Sequence, residues 1–307
     1  MPDTLRTLND LIQINDQNLA DIDVNDLLQR APLLARLFAK TSSNGSQHKY
    51  LKETGAPTVG FRALNAGREH SKSTDTPVTE ALAILDASFH VDKMYAEGYS
   101  GGVDAAIFME AIRHLRQAFK VAELNLINGA ATDGFDGLYD STDLQNISDA
   151  MVVDGGGVGV GVQTSVLAIV SNDDELSVTM GNSGNIEIGE SFLQFVEDGS
   201  GNKFPAWMTP IDGWLGLQRG SIHCVGRLAN IDATATLNDT KMSSLYEVFP
   251  EDKRPDFFVM NKTAASQLRS SRTTYSPTGA PAPWPTEWNG IPIIETGSLT
   301  QTEAVVA

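Results

Sequence analysis

The sequence predicts an α+β protein, and three observations carry the prediction. Apolar residues recur with helical period through one long segment, 103–127. Two alternating runs, 49–64 and 79–91, read as the arms of one hairpin. Most of residues 150–236 reads as further strand, with helices returning only towards the end.

Residues 1–40 read as an arm with short helices. Leu5, Leu8, Leu11 and Ile12 form one amphipathic stripe, and Leu27, Leu28, Leu33, Leu34, Leu37 and Phe38 a second, broken near Pro32. Such an arm needs another surface to cover its leucines. Next comes the hairpin, with Val59, Phe61 and Ala63 alternating on its first strand. Ala81, Ala83, Leu85, Ala87, Phe89 and Val91 share one face of the second. Residues 65–77 between them are Gly, Ser, Thr and charge. An isolated hairpin is marginal in water and its edges invite another chain, so the ribbon is expected to lie on a neighbouring subunit. The competing reading is a β-arm packed on its own chain.

Phe108, Ile112, Leu115, Phe119, Ala122 and Leu126 then form one helical stripe. Glu110, Arg113, His114, Arg116, Gln117, Lys120 and Glu123 occupy the opposite face. Ser100, or Gly101 with Gly102, can cap the start, and Gly129 follows the end, where a left-handed residue is wanted. The helix is a spine about 40 Å long. The GFDGL turn at 134–138 closes the helical region. Val152, Val153 and 166–170 are buried-strand candidates, and glycines 199 and 201 mark a turn. Residues 214–231 read as one long strand, with Ile222 and Cys224 on one side and Val225 on the other. A short helix through Met242, Leu245, Tyr246 and Phe249 stops at Pro250. A strand at 257–260, an Asn261 N-cap, a helix at 263–270, a proline-rich loop and a last strand near 290–294 complete the chain.

Composition excludes several classes. A net charge of −17 with a pI near 4.6 argues against nucleic-acid binding through a basic surface. The charge is uneven: residues 131–200 hold 13 acidic and no basic side chains, whereas 41–72 hold five basic against two acidic. Opposite signs on separate regions suit head-to-tail contacts between copies. A lone Cys224 excludes disulfide or Cys-rich zinc frameworks, and no apolar run reaches membrane-spanning length. The first residues lack the pattern of a signal peptide, so a soluble protein made in a cytoplasm is expected.

No catalytic, cofactor or metal site emerges. The glycine-rich stretch 154–161 lacks the last glycine of a dinucleotide fingerprint and has no following Gly-Lys-Ser/Thr, so a flexible loop is expected. The five histidines never fall at metal-ligand spacing. Ser183 fails the nucleophile elbow because Asn185 takes the place of its last glycine. Asp173, Asp174 and Glu175 could hold calcium, but the EF-hand spacing is absent.

The run KETGAPTVGFRALN at 52–65 resembles the extended loop of tailed-bacteriophage major capsid proteins of the Hong Kong 97 type. The order of parts agrees: arm, loop, spine, ING at 127–129 and GFDGL at 134–138. So do WLGL at 214–217, RLANI at 227–231, FVMN at 258–261 and NGIP at 289–292. The resemblance implies the corresponding capsid fold: an N-terminal arm at 1–46, an extended loop at 47–84, a peripheral domain at 85–133 and 203–236, and an axial domain at 134–202 and 237–307. It implies a non-enzymatic shell subunit forming pentamers and hexamers around double-stranded DNA, without cofactors, with a portal as partner. Only about 46 residues precede the ribbon, so a separate scaffolding protein, or none, is expected. Intersubunit contacts are expected at Lys52, Glu53, Arg62, Arg68 and Lys72. Some relatives cross-link a loop lysine to an asparagine next door; Lys49, Lys52 and Lys72 are conceivable donors. An encapsulin-like nanocompartment shell and an acidic α+β enzyme are the alternatives.

Overall fold

The alternating run at 79–91 builds three strands where one was expected. Leu82 is buried while Ala81 is exposed, and from Ala83 to Val91 the odd-numbered residues turn inward. Side chains alternate strictly along a strand, so this change of parity ends one strand and starts another. The computed structural model describes residues 13–14, 29–55, 57–69, 71–130, 132, 134–181, 184–274 and 280–307.

In chain order the strands begin with β1 (Gln13–Ile14), β2 (Phe38–Thr41), β3 (Gln47–Gly55), β4 (Thr74–Ala81), β5 (Ala83–Asp86) and β6 (Phe89–Asp92). Helices α1 (Lys93–Gly98) and α2 (Gly102–Asn128) follow. Then come β7 (Val152–Asp154), β8 (Thr164–Ile169), β9 (Leu176–Met180), β10 (Asn185–Ile188), β11 (Phe192–Glu197), β12 (Lys203–Thr209) and β13 (Ile211–Arg219). A 3-10 turn (Ile222–Cys224), β14 (Val225–Ile231), α3 (Asp239–Glu247), β15 (Phe257–Met260), α4 (Lys262–Thr274), β16 (Glu287–Trp288) and β17 (Ile291–Glu295) complete the order.

The ladders form four groups. The first sheet runs β1-β10-β13-β9-β2, with β5 also on β13; the second is β11-β12-β6. A mixed sheet runs β16-β17-β15-β8-β14-β7, and β3 pairs only with β4. The stretch 214–231 is therefore not one strand. It turns at Gly220, where a Cβ would stand 1.6 Å from the Asp174 carbonyl oxygen, and β13 and β14 enter different sheets. Strands β8, β14 and β15 are buried along their whole length, as expected of strands covered on both faces.

The spine starts at Gly101 and Gly102, the latter at φ +83°, as the sequence suggests. Its end differs from expectation: Gly129 is extended (φ −65°, ψ 148°). Glycine is needed there for space, since a Cβ would lie 2.3 Å from the Asn125 carbonyl oxygen. The following turn folds back and caps the helix. The N–H groups of Gly137, Leu138 and Tyr139 donate to the carbonyls of Gly129, Leu126 and Ile127 at 2.8–2.9 Å.

Two predicted polar positions on the spine are less open to solvent than expected. His114 is half-buried, its ring 5.0 Å from that of Phe89. Glu123 is fully buried. One of its carboxylate oxygens accepts from the Leu33 and Leu34 N–H groups at 2.8 and 3.3 Å, the other from the hydroxyls of Thr296 and of Ser298, the latter at 2.9 Å. This carboxylate joins the end of the arm, the spine and the C-terminal segment. Leu33, Leu34 and Leu37 are fully buried in their own chain's core, so this part of the arm needs no neighbour to cover it. Leu5, Leu8, Leu11, Ile12, Leu27 and Leu28 lie outside the described residues.

Candidate assembly surfaces

The hairpin is rooted by polar contacts because it has little apolar surface to bury. His48 Nδ1 accepts from the Ser43 N–H at 3.2 Å and Nε2 donates to Gln218 Oε1 at 2.6 Å, which fixes one neutral tautomer. Burial holds its pKa below the ordinary histidine value. Tyr50 Oη accepts from the Arg219 N–H at 3.3 Å, and burial pushes this phenol up to about 12. Lys52, expected at an intersubunit contact, pairs with Asp143 of its own chain. The backbone of Glu53 pairs with Asp75; its side chain lies outside the description.

Beyond Gly55 and Thr74 the ladder ends, and the first strand stops well short of residue 64. The alternation at Val59, Phe61 and Ala63 is therefore not a strand but an irregular tip. Val59, Phe61 and Leu64 are 86%, 108% and 93% exposed. The Arg62 guanidinium donates to the Ala66 carbonyl at 3.2 Å, that of Arg68 lies against Gly60, and Lys72 is exposed. The tip is apolar and cationic and stands clear of the described body, the kind of exposed patch that marks interaction sites.

Further exposed apolar surface lies on the second sheet. β11 is an edge strand carrying exposed Phe192, Leu193 and Phe195. A cleft of about 530 Å3 opens nearby, between the first turns of α2 and the β10–β11 connection. Ile107, Phe108, Ile188 and Trp207 line it, with Asp104 and Glu190 supplying its charge. No local pattern announces this cleft, which joins residues about 100 positions apart. Asp86, Asp212 and Glu187 stand in one row across β5, β13 and β10. Desolvation, then the two neighbouring carboxylates, raises the Asp212 pKa.

The remaining motifs are structural. The glycine stretch is a loop tied to β14 and to Asp232: Gly155 and Gly157 donate to the Ala229 and Asn230 carbonyls at 2.8 Å, and Asp232 accepts from Gly159 and Gln163. Glu175 pairs with Lys253, and Asp173 with Lys40 at 3.0 Å, so two of this turn's three acids are matched by lysines. Among the described residues no cluster of potential ligands could hold a metal ion. Ser183 lies outside them. Among them, too, no helix is long and apolar enough to cross a membrane.

The family described as major capsid protein GP7 matches residues 15–307. No curated protein matches the chain. A chain of bacteriophage Epsilon15 superposes with a TM-score of 0.63 at 20% identity, covering 88% of each chain, a likeness that shows the fold alone. A chain from the bacteriophage JBD30 capsid decorated with minor capsid protein trimers gives 0.47 at 13% identity, over 94% of this chain and 95% of that one. A chain from the SrpI encapsulin complex of Synechococcus elongatus gives 0.44 at 11%, over 71% and 92%.

Proposed function

Because the chain belongs to the family of major capsid protein GP7, we propose that its ribbon and tip join copies of the chain into the shell that is its working form. The protein is a major capsid protein of a tailed-bacteriophage head, and its place is the virion shell. The observation that carries this reading is the family match over 15–307. The exposed tip gives it a mechanism: among the described residues nothing covers Val59, Phe61 and Leu64. An encapsulin-like shell is the less supported alternative.

The finer reading follows the Hong Kong 97 type. The spine and the second sheet form a peripheral domain, the mixed sheet an axial domain, and copies gather into pentamers and hexamers. Arg62, Arg68 and Lys72 make intersubunit charge contacts, while Lys52 stays with Asp143. Each copy shares an obligate interface on the order of several thousand Å2. The subunit is not an enzyme. Its partners are further copies, a portal and a separate scaffolding protein, and it encloses DNA without reading sequence. The net charge of −17 supports this, because a negative wall holds phosphate weakly.

Electron microscopy of the purified full chain tests the reading. Closed shells are expected; compact small oligomers alone would refute it. Nuclease-protected DNA in particles from infected cells separates a phage head from a protein-filled compartment.

A further inference from the structure

Strand β11 is the edge of the second sheet, and its sequence lacks what normally guards an edge. It has six residues, Phe192–Glu197, with no proline and no lysine, and its single charge stands at its end. The outer sides of β3 and β4 are unpaired too, but Lys49, Lys52, Asp75, Pro77 and Glu80 guard them. The ladder to β12 shows which backbone groups of β11 are free. The Asp198 N–H donates to the Asn202 carbonyl at 2.8 Å, and the register continues through Val196 opposite Phe204 and Gln194 opposite Ala206. Bonded pairs alternate in an antiparallel ladder, so Val196, Gln194 and Phe192 bond to β12. The N–H and C=O groups of Leu193, Phe195 and Glu197 face outward, where β11 has no neighbour among the described residues.

This open edge is complementary to itself. A ladder to a second β11 must join outward-facing residues to each other. Centred on Gln194, it sets Leu193 against Phe195 in bonded pairs and Phe192 against Val196 between them, apolar against apolar on both faces. Glu197 then stands opposite Ser191, and its charge is already matched by Lys203 at 3.3 Å. Centred on Phe195, the ladder would set Leu193 against Glu197 instead. We propose that β11 pairs antiparallel with β11 of a second copy of this chain, across a two-fold axis at Gln194, so that two three-stranded sheets become one of six. Both copies contribute the same surface, so the contact closes on itself and recruits no third copy. The inference rests on the shell reading: a six-residue ladder is far smaller than a stable interface, so other contacts must first bring the copies together.

Disulfide trapping tests it on the full chain. Gln194→Cys places the two new thiols opposite each other in a non-bonded pair, with Cα atoms about 4.5 Å apart, within disulfide reach. Cys224 is buried, so it stays silent. Oxidised shells of this single variant should contain covalent dimers. Glu197→Cys, whose partner is Ser191, should give about tenfold fewer. Shells without dimers, or equal dimer yields from both variants, would overturn the pairing and leave the shell reading standing. Small oligomers only, from the unsubstituted protein, would overturn both. As a second measure, Phe195→Pro removes one outward N–H and leaves the ladder to β12 whole. It should lower shell yield about tenfold relative to Phe195→Val, with the melting temperatures of the unassembled subunits alike. Equal shell yields from the two variants would count against the ladder.

Discussion

At Glu123 a single carboxylate holds three distant segments, and its importance is invisible in the sequence. Locally it is one more polar residue on the spine's polar face. Its partners Leu33 and Ser298 lie 90 and 175 positions away. Glu123→Ala leaves two backbone N–H groups and two hydroxyls without an acceptor. It should cost about 3 kcal/mol in urea unfolding, with Glu123→Gln losing less because one oxygen remains. His48 gives a pH prediction. Folding lowers its pKa, so the unfolded chain binds the proton more tightly, and the folded state loses stability as pH falls through about 6.5. Amide exchange in β3 and β4 should quicken below that pH beyond its intrinsic dependence, and His48→Gln should flatten this response.

Among the elements, long periodic segments were legible and their interruptions were not. The spine, the strand at 257–260, the Asn261 cap and the turn at Gly201 stand where the pattern puts them. The breaks at Leu82 and Gly220 are set by which sheet each segment joins, a tertiary decision. Leu82, a bulky apolar residue in a polar parity position, was the one local sign. The end of the spine is decided by close approach. Gly137→Ala would bring a Cβ within 2.6 Å of the Asn125 oxygen and the Gly129 nitrogen. It should lower stability by about 2 kcal/mol, read by thermal unfolding. The tip is the converse case, because it supports no fold of its own. Replacing residues 58–72 by a short turn should leave the unassembled subunit's melting temperature within a degree or two and abolish closed shells under the microscope. Unchanged particle yield would remove the tip from assembly.

For the whole molecule, charge is the property the sequence reports most directly. Part of its meaning changes in three dimensions: Asp143, Asp173 and Glu175 of the acidic stretch are matched by lysines of the same chain. What the linear pattern could not supply is the cleft, assembled from the α2 start, the β10–β11 connection and β12. Nor could it divide 203–236, whose strands β12, β13 and β14 belong to three different sheets. Attraction between the cationic tip and the acidic stretch of other copies speeds encounter and is screened by salt. Initial assembly rates, followed by light scattering, should therefore fall as ionic strength rises from 0.05 to 0.5 M, with finished shells much less affected.

Rooted at the Gln218–Arg219 end of β13, the ribbon passes any pull on its tip into that strand, which becomes a link in a chain of forces. An outward push on the container would stretch each link along its backbone. The ladders to β9, β10 and β5 would then be sheared together instead of being peeled one bond at a time. Tension running round the wall would be shared by many hydrogen bonds at once, in the direction in which a sheet resists failure best.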